Sequence, residues 1–205
     1  MATPARPGPF AIDIRGVTTA VPQDAFFFPR LPSGTLVPSR GFGLDLGGHV
    51  YLFNVGPARV GIGANLLRMR GTASPPEPVR TGTTPPPANP IQATPDVRAT
   101  VTTVAPQISL NFGSAAGWSY LSAGIGTAQI TSSRSAFQTG AEETQENGSV
   151  SSINVGGGAR WFAKTHLAFS FEIRVHMLAA GSGTATAPST PATKLVTAGV
   201  GISIK

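Results

Sequence analysis

A chain of 205 residues has room for a single β-domain of ordinary size. Charged residues make up only 12% of it, with 25 Gly and 19 Pro and many Ser and Thr in their place, a poor composition for a water-facing surface. No run of 18 apolar residues occurs, which excludes a transmembrane helix and leaves β-structure as the only means of crossing a bilayer. The net charge of +6 is scattered rather than gathered into a basic helix or an aromatic-basic motif, which argues against a nucleic-acid partner.

Taken in chain order, residues 1–9 read as an N-terminal segment. The opening stretch MATPARPGPFAIDIRG has Pro, Asp and Arg where a signal peptide needs its apolar core, so an export signal is expected outside this numbering. Segments of period-two hydrophobicity then recur at 10–21, 40–54, 59–72, 99–112, 117–132, 149–162, 166–179 and 194–205, each bounded by Gly, Pro, Ser and Thr clusters. They are longer than the usual globular strand and match the length that a tilted strand needs to cross a bilayer. Three connections are tight, at 55–58, 113–116 and 163–165, and four are long, at 22–39, 73–98, 133–148 and 180–193. Strict alternation of long and short is what an up-and-down barrel gives when its long loops leave one end and its tight turns the other, with both termini at the tight-turn end. The second long loop is Pro-rich and expected to be extended, and the third carries Glu142, Glu143 and Glu146, which could meet a cation or a basic protein.

Alternation alone does not say which face is inside. On the stretch HLAFSFEIRVHML, Leu167, Phe169, Phe171, Ile173, Val175 and Met177 share one face and Ala168, Ser170, Glu172, Arg174 and His176 the other. Elsewhere the polar rows are mostly Gly, Ser, Thr and Asn with isolated charges, side chains that suit the crowded interior of a narrow barrel. The large uncharged rows suit lipid. This assigns to the lumen Asp13, Arg15, Asp45, His49, Asn65, Gln107, Asn111, Arg160, Glu172, Arg174 and His176. Enclosed charges must pair, so a salt-bridge network is predicted around Glu172 with Arg174, Arg160 or Arg15. Tyr51, Phe53, Phe112, Trp118, Tyr120, Trp161 and Phe162 cluster at the tight turns and are predicted to form an interfacial aromatic girdle.

These readings make the chain all-β, an eight-stranded antiparallel up-and-down transmembrane β-barrel over residues 10–205. INVGGGARWF, AKTHLAFSFEIRVH and the closing TAGVGISIK resemble the small eight-stranded outer-membrane barrels of the OmpA-like transmembrane type. The resemblance implies an outer-membrane location with residues 1–9 in the periplasm, and contact with outer-membrane lipids, the barrel-insertion machinery and other envelope proteins. One departure stands out: such barrels often end in an aromatic residue, and this chain ends Ile204-Lys205.

No enzymatic chemistry is legible. Lipid A deacylases of this fold resemble one another in a His-x-Ser pair, and none of His49, His166 or His176 has Ser two places on. There is no G-x-S-x-G elbow and no metal-ligand spacing, so no cofactor or metal is expected. Gly124-Ile125-Gly126 begins like a dinucleotide fingerprint but lacks its third Gly and a following helix. The expectation is a non-enzymatic structural or scaffold barrel with a plugged lumen. The alternatives are a narrow channel for small solutes and a soluble lipocalin-like barrel holding an apolar ligand.

Overall fold

The computed structural model describes residues 8–29, 31, 34–74, 95–135, 142–183 and 187–205. Residues 1–7 of the N-terminal segment, most of the Pro-rich loop and the tip of the third long loop therefore lie outside the described residues. Nine strands follow in order: β1 (Phe10–Ala20), β2 (Arg40–Val55), β3 (Ala58–Ala73), β4 (Val97–Ser114), β5 (Gly117–Ser135), β6 (Glu142–Glu146), β7 (Val150–Phe162), β8 (Leu167–Leu178) and β9 (Thr193–Ile204). All pairings between them are antiparallel. β1 closes on β9 through Ile12↔Ile204 to Thr19↔Thr197, which makes an eight-stranded ring of β1–β5 and β7–β9. Closure removes the unpaired edges that an open sheet would leave.

The ninth strand was not expected. β6 pairs with Thr131–Ser135 of β5 and continues the line of β7, so much of the segment read as a loop at 133–148 is a ribbon rising beyond the ring. Two of its acidic residues have arginine partners: Arg134 of β5 holds Glu143 at 2.6 Å, and Arg98 of β4 lies 3.5 Å from Glu142.

The two faces of the barrel wall are sharply different. The outward rows are apolar and exposed, among them Phe169 and Ile173 at 54% and Phe42 at 68%. The inward rows carry the polar set, with Asp13, Arg15, Arg160 and Arg174 each only 1% exposed. A soluble ligand-binding barrel requires the opposite arrangement, so that alternative is excluded; the outward band is a surface made for hydrocarbon.

The interior is layered along its axis. Nearest the tight turns, Ala11, Tyr51 and Trp118 form a small cluster with Phe162 packed on it. The charged residues fill the middle. Toward the long loops comes an apolar layer that includes Val17, Leu67, Met69, Val101, Ile130, Leu178 and Leu195. Phe27 and Phe28 from the first long loop join that layer, presented by a 3-10 turn at Ala25–Phe27 whose cap, Asp24, accepts from the Phe26 N–H.

Candidate functional site

The site is the middle of the lumen, and its side chains come from strands on all sides of the ring. Glu172 on β8 is flanked in register by Gly158 of β7 and Gly199 of β9, so the carboxylate has room to reach the axis. A Cβ at Gly158 would meet the phenol of Tyr120 at 2.8 Å. Two residues on, Arg174 is set beside Gly156 and Thr197. Beyond β9, on β1, Arg15 lies between Asp45 and Gly201, and Asp13 between Gly47 and Ser203.

Arg174 donates to Glu172 through Nε at 2.8 Å and Nη2 at 3.0 Å, and also reaches Asn154 and Ser122, each at 2.6 Å. Arg15 contacts Asp13 at 2.9 Å, Glu172 at 3.4 Å and Asp45 at 3.8 Å. Arg160 engages Asp13 in a bidentate pair, at 2.8 Å and 2.5 Å, the arrangement that suits a planar guanidinium best. Asn65 donates to Asp45, and Ser203 to Asp13. Tyr120 joins the parts: its hydroxyl donates to Glu172 at 2.6 Å and accepts from Arg15 at 2.8 Å, while its ring lies 4.0 Å from the Arg160 guanidinium. Three carboxylates thus meet three guanidiniums, and their formal charges cancel.

All eight lumen residues expected from the sequence, Asp13, Arg15, Asp45, His49, Arg160, Glu172, Arg174 and His176, lie inside the ring. Six make the cluster. Of the three arginines expected around Glu172, Arg174 and Arg15 pair with it directly, whereas Arg160 is taken by Asp13. The two histidines stand apart: both ring nitrogens of His49 lack a partner among the described residues, and His176 approaches only Thr197, at 3.5 Å. Also among the described residues, no group of three or more acidic, His or Cys side chains could hold a metal ion.

The aromatic girdle is corrected more heavily. Phe53, Phe112 and Trp161 are exposed on the outer wall, and Trp161 stacks with Phe169 and Phe171. Tyr51, Trp118 and Tyr120, however, are buried inside, at 4%, 2% and 2% exposure. Phe162 packs on Trp118 at 4.7 Å and under Lys205, whose ammonium lies 3.7 Å from its ring. Position in the alternation, not chemical type, decides: Tyr51 shares its row with Asp45 and His49, and Tyr120 with Trp118 and Ser122. That signal was available in the sequence and points to Tyr120 as the member of the charged cluster that sequence reasoning missed.

No protein-family model matches the chain, and no curated protein matches it in sequence. Solved structures match it in fold. The attachment invasion locus protein Ail of Yersinia pestis, in complex with the heparin analogue sucrose octasulfate, aligns with a TM-score of 0.54 over 95% of this chain and 96% of that one, at 12% identity. Neisserial surface protein A aligns with a TM-score of 0.53 over 97% of both chains, at 10% identity. At such identities the likeness is one of fold. With the closed eight-strand ring, the lipid-facing outer rows and these neighbours together, the chain is a transmembrane β-barrel of the outer-membrane type.

Proposed function

We propose that the protein is a non-enzymatic component of the outer membrane, with a closed lumen and a structural role that braces the envelope or seats other envelope proteins. The observation that carries this reading is the neutral lumen cluster: every carboxylate in it is engaged by arginine or by a neutral donor. A catalytic base or a pore-lining charge needs a free valence, and paired buried ions have little to spare. The apolar layer above the cluster, with Phe27 and Phe28 in it, adds a second barrier to hydrated solutes.

A narrow passage for small solutes is the second reading. It draws on Asn65, Gln107 and Asn111, each of which keeps a buried oxygen without a partner among the described residues, along the β3–β4 side of the lumen. One experiment separates the two. Purified full-length protein in a planar bilayer is expected to give no discrete conductance steps; reproducible single-channel steps would overturn the closed-lumen reading in favour of the passage.

A further inference from the structure

The outer wall carries a feature that a plain hydrocarbon-facing surface lacks. Arg40 on β2 and Arg68 and Arg70 on β3 are all exposed at the long-loop end, on two adjacent strands. Arg70 stands directly across from Phe42, and Arg68 across from Leu44, so these guanidiniums share the outward face with the apolar rows. None of the three has a carboxylate partner among the described residues, whereas Arg98 on the next strand is taken by Glu142. An arginine on the lipid face is costly within the hydrocarbon and becomes tolerable at the depth of the headgroups, where an anion can meet it.

Below these arginines the wall is hollowed. A groove of about 610 Å³ runs across β8, β9, β1 and β2. Gly16 and Ala198 form its floor, Phe42 one side, and Phe171 and Ile173 the other. Lys194 is exposed on β9, two places beyond Val196, so the upper end of the groove has cations on both flanks. We propose that this face binds one membrane lipid of the leaflet at the long-loop end, with its phosphate headgroup held by Arg40, Arg68 and Arg70 and an acyl chain laid in the groove. Guanidinium forks match phosphate oxygens, and an apolar groove open to the bilayer matches a hydrocarbon chain. The site requires only that the outer wall face lipid and is independent of whether the lumen conducts.

The test uses the full chain in detergent micelles, with lipid retention read by native mass spectrometry and folding checked by the gel shift between unboiled and boiled samples. The probes are dipalmitoyl phosphatidic acid, dipalmitoyl phosphatidylcholine and inorganic phosphate. Phosphatidic acid is expected to be retained about tenfold better than phosphatidylcholine, the size of effect that one or two charge-assisted hydrogen bonds supply. Combined Arg40→Gln, Arg68→Gln and Arg70→Gln should abolish that preference. Gly16→Leu should lower retention of both lipids, since a Cβ there meets nothing nearer than the Val200 carbonyl oxygen at 3.9 Å and the larger side chain fills the groove without disturbing the strand. Equal retention of the two lipids by the unaltered protein, competition by inorganic phosphate at equal concentration, or a dimer that Gly16→Leu dissolves would each overturn the proposal. The first of these decides the matter even if the triple variant fails to fold.

Discussion

Glu172 accepts twice from Arg174, once from Tyr120 and once from Arg15, all inside a wall that excludes water. Replacing it with Ala leaves two buried guanidiniums undercompensated, for which the expected loss is about 3–5 kcal/mol of folding stability, read by urea unfolding in detergent micelles. An unchanged midpoint would contradict the network. Tyr120→Phe is the sharper companion. It removes one hydroxyl from between Glu172 and Arg15 and is expected to cost about 1–3 kcal/mol, whereas an interfacial ring would tolerate the change. At this scale the sequence showed which residues point inward, because a strand leaves only two choices for each position. It did not show which Arg meets which carboxylate, since that depends on the axial stagger of neighbouring strands. The error over Tyr51, Trp118 and Tyr120 came from letting the interfacial preference of aromatics outweigh their place in the alternation.

Among the elements, the pairing of β4 with β5 shows why Gly124 and Gly126 are there. The ladder runs to Val104↔Thr127, skips Ala105 and Pro106, and resumes at Gln107↔Gly124. Pro106 has no N–H to offer, and the strands close up at that point. A Cβ at Gly126 would overlap the Val104 carbonyl oxygen, and one at Gly124 would lie 2.8 Å from Gln107 Cγ. The dinucleotide-like motif is thus a device for close backbone approach. Gly126→Ala is expected to reduce sharply the fraction of protein that refolds to the heat-sensitive gel form; normal refolding would count against the overlap. The first long loop is held by side chains of β5, β6 and the residue after β6: Phe27 O accepts from Ser132 at 2.5 Å and from Asn147 at 3.2 Å, and Phe26 O from Gln145 at 2.9 Å. Phe27→Ala should therefore raise hydrogen exchange at residues 25–28 at least tenfold while the ring strands stay protected, because local opening loses its apolar anchor. None of this docking was legible beforehand. Loops carry no period to read, and β6, with its sequence EETQE, lies beyond the bilayer where a strand needs no apolar row.

For the whole molecule, everything follows from which solvent lies outside the ring. The eight ring strands, their order and the two kinds of connection were visible as period and spacing, because a bilayer imposes the same alternation and length on every strand that crosses it. The choice between inside and outside rested on what the polar rows are made of, and it applies to the whole wall at once. The chain contains no Cys, so single cysteines can be introduced and labelled one at a time along the β8 region, Leu167–Leu178, in protein reconstituted into vesicles. Accessibility of a spin label to oxygen dissolved in the membrane is expected to rise at Phe169, Phe171, Ile173 and Val175 and fall at Ala168, Ser170, Arg174 and His176, oscillating with period two. A flat profile, or the same oscillation with its phase inverted, would contradict a barrel that turns its apolar rows to lipid and its charges to the lumen.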